Sequence, residues 1–305
     1  MRLTREDLIE FSLLIFKPAL VPLKKLCMKN FLLFIASTFI LIHSEAQKHK
    51  LVKLWETDTL LKVPESVLYD ADNKVLYEAN IDGTDPWGKD GKGSIGKISM
   101  TGKIIAVDWV PGLDAPKGMG LYKEKLYVAD LNHIVVIDTK KGVIEKTIPV
   151  DGAEGLNDVS VGKDGVIWVS DSKAKRIYKI ENGKSSLFLE NLKGPNGVLM
   201  RGKDFYILDA GGAYKVNADK TLTRISDGME GGTDGIENVA GNDFLVSCWA
   251  GAVWYVHADG TKELLLDTRE QKKNTADIGY DPKTKTVFVP TFWKNSVVAY
   301  KVSED

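Results

Sequence analysis

The chain has 305 residues, 44% of them hydrophobic and 27% charged, with a formal net charge of -1. This is ordinary globular material, enough for one large domain or two small ones. The charges are mixed rather than blocked, so there is no electrostatic footprint for nucleic acid or an anionic membrane, and neither is an expected partner.

The first segment in chain order stands apart from the rest. Residues 28–46, MKNFLLFIASTFILIHSEA, combine a basic start, an apolar run from Phe31 to Ile42, and small residues at Ser44 and Ala46 before Gln47. That is the anatomy of a secretory signal peptide, and the run is short for a membrane span. The expectation is a signal region over residues 1–46 cleaved after Ala46. Met28 is the candidate true start, because a second apolar stretch broken by Lys17 and Pro18 precedes it. The protein is then periplasmic or secreted, with no stable membrane insertion after cleavage; an uncleaved N-terminal anchor is the alternative. Cys27 and Cys248 are the only cysteines, so residues 47–305, read as a single domain, carry one thiol and no internal disulfide.

From Val63 onward one phrase returns at a period of about forty residues. Its versions are VPESVLY, APKGMGL, GLNDVSV, GPNGVLM, GTDGIEN and TADIGYD, and alone each reads as a turn that opens a strand. Aligned on the third letter they bring Glu65, Lys117, Asn157, Asn196, Asp234 and Asp277 into register. A second strand follows each phrase: KVLYEAN, KLYVADL, VIWVSDS, DFYILDA, DFLVSCW and TVFVPTF. These are rich in β-branched and aromatic residues. Two further strands meeting at a Gly or Asp turn complete each unit, and sustained helical periodicity is missing. The pattern predicts an all-β fold, a six-bladed β-propeller of four-stranded blades. The last unit is one strand short, and KLVKLWET, Lys50 to Thr57, has no blade of its own. It is predicted to supply the missing strand and so close the ring.

Because successive strands alternate in direction, the third letters form a ring at one channel mouth, and the loops between second and third strands rise to that mouth. Glu65, Asn196 and Asp234 bring carboxylate and amide oxygens there, with Asn157 and Asp158 beside them. No Cys or His joins them, which favours a hard cation, Ca²⁺ before Mg²⁺, and disfavours Zn²⁺. Turn chemistry alone would also account for the Asn and Asp letters, though not for Glu65. The long first-blade loop, ANIDGTDPWGKDGKGS, carries Trp87 and is a candidate lid. His133, Trp249 and Trp293, with Phe292 and Lys294, are candidate substrate contacts. The aromatics read equally as packing between blades, and His133 as a solvated loop residue or a proton shuttle. Lys117 beside a cation suits an anionic substrate. The run GKGSIGKI, Gly91 to Ile98, approaches a phosphate-binding loop, but Ile98 stands where Ser or Thr is needed and the run leads into a strand, so no nucleotide is expected. A GxSxG nucleophile elbow is also missing.

The phrases PES, LND, PNG and TDG, in that order, make the chain from Val63 to its end resemble a known family. This is the senescence-marker-protein, gluconolactonase and luciferin-regenerating-enzyme group, the regucalcin-like six-bladed propellers, which hold a catalytic divalent cation, usually calcium. The resemblance implies Glu65, Asn196 and Asp234 as metal ligands. It implies Asn157 as the asparagine that touches substrate or cation-bound water, and Asp158 as the acid that follows it. Two positions depart from the family. Ser66 and Val67 follow Glu65 where Gly-Pro is usual, and Gly155 stands where a sugar-binding arginine does. The metal site therefore carries over better than the sugar-lactone specificity, and the implied activity is metal-dependent, gluconolactonase-like hydrolysis of a small-molecule lactone or related ester. Asp234 or Asp158 would accept the proton of the attacking water, or Asp234 would itself be the nucleophile. A non-catalytic propeller that binds a ligand or protein, its cation tying blades together, is the alternative.

Overall fold

The computed structural model describes residues 48–304; the signal region expected over residues 1–46 lies outside them. The described chain opens with β1 (His49–Glu56). Blade one is β2 (Pro64–Asp70), β3 (Val75–Asn80), β4 (Gly93–Ser99) and β5 (Ile104–Leu113); blade two is β6 (Pro116–Tyr122), β7 (Lys125–Asp130), β8 (His133–Asp138) and β9 (Val143–Pro149). Blade three is β10 (Leu156–Val161), β11 (Ile167–Asp171), β12 (Arg176–Glu181) and β13 (Lys184–Leu189). Blade four is β14 (Pro195–Arg201), β15 (Asp204–Asp209), β16 (Gly212–Val216) and β17 (Leu222–Ser226); blade five is β18 (Thr233–Ala240), β19 (Asp243–Cys248), β20 (Ala252–Val256) and β21 (Lys262–Asp267). Blade six has β22 (Gly279–Asp281), β23 (Thr286–Pro290) and β24 (Val297–Glu304), and each of the six sheets has four strands. Innermost strands of neighbouring blades touch all round, with β22 returning to β2. This is the six-bladed β-propeller that the repeat predicts, and GKGSIGKI does lead into a strand, β4.

The fourth strand of blade six is β1, antiparallel to β24 from His49 opposite Glu304 to Glu56 opposite Val298. The predicted N-terminal closure is therefore the observed one. Side chains lock it across the seam. Trp55 donates its indole N–H to the Met100 carbonyl (3.1 Å) in blade one and packs against Phe288. Glu56 accepts from Lys273 Nζ (2.7 Å) and Ser296 Oγ (2.8 Å).

Second strands are covered on both faces by neighbouring blades, so they read as unbroken apolar runs rather than alternating ones; β23 is buried at all five positions. Tyr77, Ile95, Met119, Leu126 and Val128 form one such interblade core, between blades one and two. Outer strands such as β9, exposed at nearly every residue, carry the charge.

Candidate functional site at the channel mouth

Five of the six recurring phrases are β-bulges at the head of an innermost strand, not turns before it. Pairing slips by one residue between Pro116 and Met119, Leu156 and Val159, Pro195 and Val198, and Thr233 and Ile236, with the same slip between Pro64 and Ser66 in blade one. The extra residue bends the strand head and re-aims the side chain at the third letter. Strand register also corrects the third-letter alignment at one point. Asp277 pairs in parallel with Ser66, its N–H donates to the Glu65 carbonyl (2.9 Å), and its carbonyl accepts from Val67 (3.2 Å). Asp277 therefore lies level with Ser66 and Asp158, one step below the ring, and Ala276 takes the ring position of blade six. At that lower level a Cβ on Gly118 would come within 2.4 Å of Asp158 Cα, and one on Gly235 within 2.4 Å of Asp277 Oδ1. Bare backbone at these two positions lets the strands close in around the axis.

Most of the ring is buried. Glu65, Lys117, Asn157 and Asp234 are all at most 7% exposed. Asn196 Nδ2 donates to Asp234 Oδ1 (2.8 Å), which fixes the carboxamide. Asn196 Oδ1 and Glu65 Oε2 are buried without a hydrogen-bond partner, and each such orphan costs about 1–3 kcal/mol. Burial, offset in part by the Lys117 ammonium and reinforced by Asp158, pushes Glu65 up to about 7. Burial, then the charges of Glu65 and Asp158, holds Asp234 well above the usual carboxylate range. Lys117 is pushed down by burial against the pull of Glu65 and Asp234. Two orphaned oxygens beside a buried carboxylate are a hard donor set, and these residues fit a divalent cation. Asn157 Nδ2 donates to Ser172 Oγ (3.0 Å), which in turn donates to the Pro195 carbonyl (2.7 Å). Ser172 escaped the sequence reading because a serine in a second-strand loop carries no distinguishing pattern.

Asp158 faces the other way. Its carboxylate accepts from the N–H groups of Val159 (2.6 Å) and Val198 (2.7 Å), joining blade three to blade four. It lines a channel cavity of about 410 Å³ together with Ser66, Asp277 and Glu237. Burial, opposed by those two backbone bonds, pushes Asp158 up to about 7. Burial and then the Asp158 charge push Glu237 up to about 8. Glu237 also went unread, since it lies three residues past the third letter on which the phrases align.

The loops distribute the remaining candidates. Lys117 Nζ donates to the Pro86 carbonyl (2.6 Å) and stands 4.3 Å from the Trp87 ring centre; Lys173 Nζ stands 4.6 Å from the same ring. A Cβ on Gly155 would lie 2.8 Å from both Trp87 Cζ3 and Lys173. Trp87 and Lys173 thus occupy the space into which a side chain at position 155 would project. His133 has local partners: its Nδ1 is 3.2 Å from Asn132 Oδ1 and its Nε2 3.7 Å from Asp130 Oδ2. Asp130 itself accepts from the N–H groups of Asp114 and Ala115, and Asp171 and Asp209 do the same for the segments entering β10 and β14. Trp249 and Trp293, about two-fifths exposed, both meet Phe292 edge-on at 5.4 and 4.7 Å. A cleft of about 480 Å³ opens beside the ring, lined by Asn157, Ser172, Asn196, Met229 and Gly232 among others. Val63, just before Pro64 and Glu65, is β-branched yet held at φ 59°. Such strain persists only where surrounding structure fixes it, here with the Val63 N–H donating to Asn295 Oδ1 (3.1 Å).

Fold and site together define a six-bladed propeller with an oxygen-rich, buried channel mouth. No protein-family model and no curated protein matches the sequence. Among solved structures, the chain is similar to a gluconolactonase from Xanthomonas campestris (13% identity, 85% of this chain and 96% of that one, TM-score 0.64). It is also similar to a putative gluconolactonase (15%, 84% and 93%, TM-score 0.62) and to virginiamycin B lyase from Staphylococcus aureus (15%, 83% and 99%, TM-score 0.58). At these identities the likeness is one of fold. Among the described residues no helix is long and apolar enough to cross a membrane.

Proposed function

We propose that the protein is a metal-dependent hydrolase of a lactone or related ester, gluconolactonase-like, acting on a small molecule at the channel mouth. The observation that carries this reading is the pair of orphaned buried oxygens, Glu65 Oε2 and Asn196 Oδ1, beside the Asp234 carboxylate. Buried polar atoms are rarely left unpaired without a purpose. Glu65, Asn196 and Asp234 would hold the ion, Ca²⁺ by donor type. When bound, it supplies Lewis-acid polarisation of the ester carbonyl.

The chain's own groups do the rest. Asn196 holds Asp234 through its Nδ2 donor, so the second carboxylate oxygen of Asp234 is free to take a proton from an attacking water. Lys117 places positive charge at the ring, suited to an acid group on the substrate. Asn157, oriented by Ser172, presents its carboxamide to the cleft. Trp87, with Trp249 and Trp293 on the far rim, gives apolar surface for the body of the substrate. Asp158, tied to two backbone N–H groups, serves more naturally as a brace than as the base. The reading includes export, supported by the signal-like residues 28–46, and the mass of the mature N-terminus tests that part.

The decisive assay is a panel of aldonolactones, aryl esters and organophosphates, run on purified protein with chelator and with added Ca²⁺. The expected result is turnover that chelator abolishes, Ca²⁺ restores and Asp234→Ala eliminates while the circular dichroism spectrum is unchanged. Thermal stabilisation by Ca²⁺ with no turnover on any substrate would replace the enzyme with a binding propeller. Failure of Ca²⁺ to bind at all would remove both.

A further inference from the structure

We propose that His49, His257 and Glu263 form a second cation site, built for a transition ion of the zinc class, that fastens the ring-closing strand β1 to blade five. His49 Nδ1 and His257 Nε2 each lie 2.7 Å from Glu263 Oε1, and the three ligand atoms all lie within 4.8 Å of one another. Two imidazoles and a carboxylate favour zinc-class ions over Ca²⁺ or Mg²⁺, the reverse of the all-oxygen mouth. In a tetrahedral zinc site neighbouring ligand atoms stand about 3.3 Å apart. The Glu263 carboxylate therefore has to withdraw by about half an ångström, and the two imidazole nitrogens, within 4.8 Å of each other, have to settle at the same spacing, both by side-chain rotation.

The surroundings hold these ligands in place. The His49 ring stacks on Tyr255 at 3.8 Å and 10°, and its backbone N–H donates to Glu263 Oε2 (2.9 Å). Asp243 Oδ2 lies 3.7 Å from His257 Nδ1. Asp243 is itself fixed by the Tyr255 hydroxyl (2.9 Å) and the Ala258 N–H (2.8 Å). A carboxylate beside the far ring nitrogen favours the proton there and leaves the Nε2 lone pair for an ion. The side chains of His257 and Glu263 are 24% and 13% exposed, so an ion can enter from solvent.

The site's place in the fold gives its role. His49 begins β1 and Glu263 lies on β21, the outermost strands of blades six and five, while His257 opens the turn between β20 and β21. His49 pairs with Glu304, the far end of β24 from the channel mouth. An ion here touches no substrate; it clamps the seam where the two ends of the propeller meet, where β1 covers the edge that β24 would otherwise expose.

The test uses tag-free protein stripped with chelator, titrated with Zn²⁺ by calorimetry and with Co²⁺ by visible absorption. Wild type and Asp234→Ala are run in parallel, so that occupancy of the mouth is read separately. The expected result is one Zn²⁺ per chain in both, a melting temperature raised by a few degrees, and tetrahedral Co²⁺ bands. His257→Ala and Glu263→Gln should each weaken Zn²⁺ at least ~10-fold and remove the thermal shift, leaving the Ca²⁺ response unchanged. Glu263→Gln keeps the volume and an acceptor for the His49 amide, so it reports even if His257→Ala folds poorly. Zn²⁺ affinity unchanged in both variants, or no uptake by wild type against a weak competing chelator, would overturn the proposal.

Discussion

Replacing Glu237 by glutamine should stabilise the protein in alkaline solution and leave it unchanged in acid. Glu237 faces the channel cavity, and burial, followed by the Asp158 charge, raises its pKa from 4.5 to about 8. The sign follows from proton counting. Below the lower value both folded and unfolded chains carry the proton, so Glu237 contributes no slope. Between the two values the unfolded chain releases it and the folded chain keeps it, so stability falls as pH rises; above the upper value the loss levels off. The span of the shift at 1.36 kcal/mol per unit sets a ceiling of roughly 5 kcal/mol. Glu237 is only partly buried by surface area, and solvent screening reduces the expected loss to about 1–2 kcal/mol. Urea unfolding in chelator from about pH 5 to about pH 9 measures it. Wild type should lose stability across that range relative to Glu237→Gln, at equal m-values. Profiles that run parallel throughout would mean that Glu237 is ionised in the folded channel, and the reasoning would fail.

Asn196→Ala removes one ring oxygen and the donor that holds Asp234, and should weaken Ca²⁺ by about 1.5–3 kcal/mol, the scale of a hydrogen bond to a charged group; calorimetry reads it. Gly118→Ala forces a Cβ to 2.4 Å from the Asp158 backbone, where nothing can rotate away. A loss of about 1–3 kcal/mol in urea unfolding is expected, whereas an equal midpoint would show that the strands can part. Trp87→Ala removes the ring that Lys117 and Lys173 flank and should speed proteolysis of the 81–92 loop while leaving the melting temperature within a few degrees.

The fold was legible because a propeller repeats its physics. Each blade needs an apolar second strand covered on both sides, and those six runs stand out in the sequence. Closure by β1 was legible by subtraction, one blade lacking a strand and one strand lacking a blade. Much of the site was harder to read. Trp87 reaches Lys117 only through the path of its loop, and the fit of Trp87 and Lys173 over Gly155 has no local signal. The metal-like trio of His49, His257 and Glu263 joins residues more than two hundred positions apart, so no spacing rule finds it.

The register of the ring was the finest point, and the bulges decided it. A bulge adds a residue without changing composition, so aligning phrases by resemblance is uncertain by one position. That one step separates a side chain in the mouth from one in the channel beneath. The better marker is the residue one step below the ring, which round the six blades is Ser66, Gly118, Asp158, Gly197, Gly235 and Asp277. Gly118 adjoins Asp158 and Gly235 adjoins Asp277, and in each pair a Cβ on the glycine would collide with the acid's residue. Crowding at the axis therefore ties Gly118 and Gly235 to these acids as pairs, whereas a Cβ on Gly197 would meet the Asp234 carbonyl. It also makes the level of Asp277 readable: an aspartate matched to the glycine of the preceding blade belongs in the lower tier, with Asp158, and leaves the upper tier of blade six to Ala276.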